Sequence, residues 1–249
     1  FIMDNLFSIF FDQNSDVLSI KLIIQLIGEN STLIFQLIND PSQILHLINK
    51  TIEYIQIPEL ASTVYRFIES SISNIPDVLP LIIQPLVEKS IIDLQTASSE
   101  IILSLIWMYT NLIISYSSSI VEYLSPLIIP LIKTMENVNT SEIIEEDGYE
   151  PYSAAYSCLH TFCYYCNDLV FPVLLEYAIR FNQSTNRDER EGSVKCLSLI
   201  FLSTSIEKLE DNVLPSLQLL SNVITDPEPR IRYETIKALT IILSRIDQF

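Results

Sequence analysis

Four short phrases recur along the chain: Val78-Leu79-Pro80-Leu81, Leu124-Ser125-Pro126-Leu127, Val170-Phe171-Pro172-Val173 and Val213-Leu214-Pro215-Ser216. Their prolines, Pro80, Pro126, Pro172 and Pro215, stand 46, 46 and 43 residues apart. Each phrase opens an apolar run, such as Leu81-Ile82-Ile83 or Leu127-Ile128-Ile129. A proline inside a helix costs about 3 kcal/mol, but in the first turn its missing N–H has no partner to lose. Each phrase is therefore expected near the start of a helix, the first (A) helix of a repeating unit. A period in the forties marks arrays of short helical hairpins, in which each unit buries its apolar side only against its neighbours.

A second (B) helix should follow each A helix. The candidates are Gln95–Ile114, Tyr152–Tyr165, Glu189–Leu202 and Ile231–Ile246. In the last, Ile231, Ile236, Leu239, Ile242, Leu243 and Ile246 form one stripe, with Arg232, Glu234, Lys237 and Arg245 opposite. Upstream, Ile44–Ile55 and Glu59–Ile75 read as another pair, and residues 4–38 as one more, degenerate pair. Only three glycines accompany 49% apolar residues, which fits helices better than a turn-dense β fold. The expected fold class is all-α, a right-handed α-solenoid of about five to six HEAT-type hairpins forming a single domain over 1–249.

One connection breaks the period. From Pro126 to Cys158 is 32 residues, whereas Pro172 to Cys196 and Pro215 to Ala238 are 24 and 23. The excess falls in an A–B turn at about 137–150, which carries Glu142, Glu145, Glu146, Asp147 and Glu150 with no Lys or Arg among them. It reads either as a solvated linker or as an acidic tether for Lys/Arg-rich segments of a partner. Single exposed ion pairs contribute about 0.2–1 kcal/mol, so such a tether would act collectively, on association rate and partner choice. Insertions in repeat proteins fall on one face, often the binding face.

Net charge is −17. That repels a phosphate backbone and argues against nucleic-acid binding. It either attracts basic partners or simply keeps an apolar chain soluble. The run Ile101–Ile114 carries Ser104, Tyr109, Thr110 and Asn111, and at 14 residues is too short to span roughly 30 Å of hydrocarbon. It reads as a buried helix without membrane insertion, with Trp107 in the core. The opening Phe1-Ile2-Met3 has no basic segment ahead of it, so no secretory leader is read, and a fragment of a longer chain is expected.

Catalytic machinery is not visible. His46 and His160 lack any nucleophile–base order and read as packed side chains. Cys158, Cys163 and Cys166 have part of an iron–sulfur spacing, but on a helix Cys158 and Cys163 point about 140° apart, at about 100° per residue. His160, Cys163 and Cys166 lie nearer one face, without a fourth metal ligand. Cys163-Tyr164-Tyr165-Cys166 lies too far into a helix for the N-terminal dipole to activate a thiol. With Cys196, these read as buried cysteines. No cofactor, metal or enzymatic activity is expected.

The segment Gly148-Tyr149-Glu150-Pro151-Tyr152-Ser153-Ala154-Ala155-Tyr156-Ser157-Cys158-Leu159, with its acids ahead of it, resembles the acidic loop of the importin-β (karyopherin-β) family. Asp168-Leu169-Val170-Phe171-Pro172-Val173-Leu174 and Arg187-Asp188-Glu189-Arg190-Glu191-Gly192-Ser193-Val194 resemble the family's next repeat. Asp226-Pro227-Glu228-Pro229-Arg230-Ile231-Arg232-Tyr233 is similar to its Asp-Pro-x-Pro-Arg-Val-Arg-Tyr phrase. An Asp with an Arg six residues on is common to HEAT repeats and allows an Asp–Arg ladder between units. The resemblance is clearest over 137–246. It implies a receptor shuttling between cytoplasm and nucleus, which binds basic cargo signals on its B-helix surface and the GTPase Ran on overlapping surface. It also implies docking of Phe-Gly nucleoporins between A helices. Carried over are Glu142, Glu145, Glu146, Asp147, Tyr149 and Glu150, with Asp188 and Glu189 as further cation-facing residues. The competing reading is a HEAT scaffold for a multisubunit complex such as a protein phosphatase.

Overall fold

In the computed structural model the described residues are 2–12, 14–38, 40–71, 74, 78–136 and 150–246, and among them every regular element is helical. In chain order the helices are α1 (Ile2–Phe11), α2 (Val17–Glu29), α3 (Ser31–Ile38), α4 (Pro41–Glu53), α5 (Pro58–Ser71), α6 (Leu79–Thr96) and α7 (Ser99–Leu124). Then follow α8 (Ile128–Glu136), α9 (Pro151–Tyr165), α10 (Asn167–Phe181), α11 (Arg187–Ser203), the short α12 (Ile206–Leu209), α13 (Val213–Val223) and α14 (Pro229–Ile246). They make two compact units, Phe1–Tyr123 and Leu124–Phe249.

Within each unit the helices pack as hairpins whose second members stack on one another. In the second unit α8 packs on α9, α10 on α11 and α13 on α14, while α11 lies between α9 and α14. In the first unit α2 packs on α5, the same B-on-B relation. Polar bonds join α5 to α7 along that seam: Ser62 donates to Glu100 at 3.0 Å, Arg66 to Ser104 at 3.3 Å and Asn111 to Glu69 at 2.7 Å. Side-chain caps start the helices where the sequence offers them, Asp16 for α2, Asp40 for α4 and Asn186 for α11.

Most of the periodic reading matches, with four differences. Pro80 and Pro215 sit in the first turns of α6 and α13, and Pro126 in a 3₁₀ turn leading into α8. Pro172, however, is the sixth residue of α10. That helix starts early because the Asn167 amide donates to Cys163 O and to the Thr204 hydroxyl, 37 residues away. Its first turn also carries Asp168, favourable beside the exposed N–H groups. Second, residues 2–38 hold three helices, α3 turning by 88° from α2.

Third, the apolar helix begins at Ser99 rather than Gln95 and runs 26 residues, with a non-helical break at Tyr116. The stretch Ser99–Glu136 is, by length and composition, apolar enough to cross a membrane, contrary to the reading of 101–114 alone. Its apolar side, Leu105, Ile106, Met108, Leu112 and Ile113, is buried in helix packing. Fourth, Trp107 is 37% exposed, on the side of α7 away from that core, whereas Tyr109 is buried.

Candidate partner-binding site

The helix α8 ends at Glu136 and α9 begins at Pro151, whereas residues 182–186 and 224–228 make the equivalent turns between α10 and α11 and between α13 and α14. The acidic stretch at about 137–150 falls between α8 and α9. Glu142, Glu145, Glu146, Asp147 and Tyr149 lie outside the described residues. Glu150 is half-exposed in extended backbone and its carbonyl accepts from Ala154 N at 3.0 Å, starting α9.

Asp188 and Glu189 sit in the first turn of α11. Asp188 is held by the neighbouring Arg187, at 2.9 and 2.7 Å. Glu189 accepts from the Ser184 hydroxyl at 2.5 Å and from Lys133 at 3.3 Å. The Ser184 bond, helped by Lys133, holds its carboxyl below the ordinary glutamate range. The fold thus brings Glu189 to α8, one turn before the acidic connection leaves it. Its carboxylate is already engaged there.

That departure point is a charge network the sequence did not disclose. Glu136, the last residue of α8, is buried and accepts from the Tyr177 hydroxyl of α10 and from Lys133 at 3.1 Å. Burial pushes its carboxyl above the usual range, and the Tyr177 and Lys133 bonds only partly oppose this. Glu191 of α11, 1% exposed, pairs with Lys195 at 2.7 Å and with Arg230 of α14 at 2.8 Å. Lys195 also donates to Met135 O at 3.3 Å, satisfying a carbonyl at the end of α8. The ring of Tyr152, at the start of α9, lies under both cations, 5.7 Å from Lys195 and 5.8 Å from Arg230.

Three cations therefore face three carboxylates at the two roots of the acidic connection. Gly192 makes this packing possible, because a Cβ there would lie 2.7 Å from Glu136 Cγ and 2.9 Å from Cδ. A lone glycine in a helix interior costs about 1 kcal/mol relative to alanine, and that was the one available sequence signal.

The expected Asp–Arg rung is present. Arg190 holds Asp226 of the next hairpin with two bonds, Nε at 2.7 Å and Nη2 at 3.1 Å, while its Nη1 donates to Ser184 O at 2.9 Å. Burial raises the Asp226 carboxyl, but the Arg190 pair and the Glu228 N–H outweigh it and the net shift is downward.

Two apolar clefts open between A helices. One of about 320 Å³ lies between α1 and α4 and includes Phe7, Phe11, His46 and Leu47. The other, about 370 Å³, lies between α8 and α10 and is walled by Ile129, Val173, Tyr177 and Phe181, with Lys133, Glu176 and Arg180 alongside. His46 stacks on Phe11 with centroids 4.8 Å apart, and both His46 and His160 are exposed rather than packed inside. All four cysteines are buried, and burial pushes the Cys163 thiol up to about 12. Among the described residues no cluster of His, Cys, Asp and Glu could hold a metal ion.

The sequence matches no family model and no curated protein. Solved structures are another matter. Kap95p, the yeast importin-β, in a structure with RanGDP is 14% identical, with a TM-score of 0.84 over 99% of this chain and 31% of that one. The fold is that of the karyopherin HEAT repeats. A Kap95–Nup1 complex is 13% identical with a TM-score of 0.80, covering 95% of this chain and 30% of Kap95. Kap121p bound to RanGTP is 12% identical with a TM-score of 0.71, covering 98% and 28%. The chain spans about a third of these karyopherins.

Proposed function

We propose that the chain is a segment of a karyopherin-type nuclear transport receptor. In this reading it binds basic cargo signals, a Ran GTPase and Phe-Gly nucleoporins while shuttling between cytoplasm and nucleus, and it catalyses nothing. The observation that carries the reading is the coincidence of likeness to the karyopherin fold along nearly the whole of this chain with a single lengthened turn holding five acids.

Two further features support it. RanGDP, RanGTP and Nup1 are each bound by proteins of this fold. The clefts between A helices, of about 320 and 370 Å³ and walled largely by aromatic and aliphatic side chains, have room for a phenylalanine side chain with its neighbouring backbone, which suits Phe-Gly docking. The acidic turn supplies field rather than a pocket, so it steers Lys/Arg-rich segments and leaves the holding to surface beside it.

The test is a pull-down by the complete polypeptide of Ran loaded with GTP or with GDP, alongside a Phe-Gly repeat peptide. GTP-selective capture together with peptide binding supports a transport receptor. Absence of both leaves a HEAT scaffold for a multisubunit complex.

A further inference from the structure

From Glu191 to Phe201 every residue of α11 is buried, with α8, α9, α10 and α14 all packed on it. The helices on its two flanks, α9 and α14, also reach each other across it through side chains. The Arg230 guanidinium of α14 lies 5.8 Å from the ring centroid of Tyr152 in α9, and the Lys237 ammonium 5.7 Å from that of Tyr156. Each cation also stands beside a carboxylate. Arg230 Nε donates to Glu191 at 2.8 Å, and Lys237 is 3.7 Å from Glu234. Burial, helped by the Glu234 charge, pushes the Tyr156 hydroxyl up to about 12, so the ring is neutral in neutral solution.

This clasp is held lightly. The Arg230 and Lys237 side chains are 33% and 49% exposed, and cation–π contacts and ion pairs at such exposure are weak. Losing Arg230 does not strand Glu191, because Lys195 holds the same carboxylate oxygen at 2.7 Å. The two seats have a spacing as well as a chemistry. Tyr152 and Tyr156 are one helical turn apart, about 5–6 Å between Cβ atoms. In an extended segment, side chains two residues apart point the same way about 6.6 Å from each other.

We propose that Arg230 and Lys237 are internal stand-ins for a partner: an extended Arg-x-Lys segment takes their places on Tyr152 and Tyr156 and so releases α14 from α9. The present occupants select this partner, because a guanidinium and an ammonium already fill the two seats, each against a ring and a carboxylate. The net charge of −17 draws such a segment in. A lone cation meets an occupied seat, whereas two linked cations can take both seats together. The inference rests on the reading that this chain takes Lys/Arg-rich segments, and adds which of its own contacts give way when it does.

The test uses the complete polypeptide and a fluorescent peptide with one Arg-x-Lys among neutral residues, its binding followed by anisotropy. Arg230→Gln with Lys237→Gln, which keeps most of both stems, should tighten binding about 5- to 30-fold, the equivalent of two exposed cation–π contacts. Lys50→Gln with Lys208→Gln removes the same charge from two surface ion pairs elsewhere and should change binding far less. Adding Tyr152→Leu and Tyr156→Leu to the first variant should cancel its gain. Equal gains in the two charge-matched variants, or a gain that survives the leucines, overturn the proposal while leaving basic partners in place. So does equal binding of a peptide whose Arg and Lys stand five residues apart. Failure of every variant to bind the Arg-x-Lys peptide overturns the proposal, and failure with a longer Lys/Arg-rich peptide as well overturns the reading beneath it.

Discussion

Gly192→Ala tests the packing at the roots of the acidic connection. A methyl at Gly192 would stand 2.7 Å from Glu136 Cγ and 2.9 Å from Cδ, closer than carbon atoms approach, so the Glu136 carboxyl must leave its place. It would give up the Tyr177 hydroxyl and Lys133, and bonds to a charged group contribute about 1.5–3 kcal/mol each. Alanine returns about 1 kcal/mol of helix propensity. The net expectation is a destabilisation of about 2–5 kcal/mol, read as a shifted urea midpoint at constant m-value. The decisive comparison is a double-mutant cycle. In a Glu136→Ala background the obstruction is gone, so Gly192→Ala should stabilise by about 0.5–1 kcal/mol. Equal effects in the two backgrounds would refute the close approach.

Four other outcomes follow from the same geometry. Arg190→Ala leaves Asp226 buried and unpaired, so a loss of about 2–4 kcal/mol is expected on chemical denaturation, with Arg190→Lys recovering part of it. Because the folded Asp226 carboxyl is held below its ordinary 3.8, the contribution of this pair is present above that pH and is lost as pH falls through the lower folded value. Acid titration of Arg190→Ala should therefore show a smaller loss of stability below about pH 4 than the parent, and identical profiles would contradict the pairing. The four thiols should resist a disulfide reagent at pH 8 until the chain is unfolded; rapid native reaction would contradict their burial. Trp107, the single tryptophan, should be quenched by acrylamide in the folded protein, whereas a core tryptophan would be shielded. Replacing Glu142, Glu145, Glu146 and Asp147 with Ser should weaken binding of a Lys-rich peptide and flatten its salt dependence without moving the thermal midpoint. Unchanged affinity would make the turn a linker.

The hairpins and an Asp–Arg ladder between them were legible in the sequence because both follow from a period that repeats. Where the reading slipped, a distant contact decided. Pro172 lies well inside α10 because Asn167 finds Thr204 across the hairpin. Trp107 was read into the core because it stands in an apolar run, whereas it falls on the side of α7 away from the packed residues. The length and charge of the 137–150 connection were also legible, since an insertion shows against its neighbours. Its anchoring was not: Lys133 meets Glu189 over 56 residues and Lys195 meets Met135 over 60, and nothing local marks either pair. Glu189 was picked out for its charge, yet the structure places it among the groups that hold the turn's base.

A competition experiment on the complete polypeptide tests the receptor role most directly. A fluorescent Lys/Arg-rich peptide is bound, then challenged with Ran loaded with GTP or with GDP, and its anisotropy is followed. A transport receptor of this fold should release the peptide to the GTP form and keep it in the presence of the GDP form. Equal release by both forms, or a peptide that never binds, would contradict the role proposed for the acidic turn and the array that carries it.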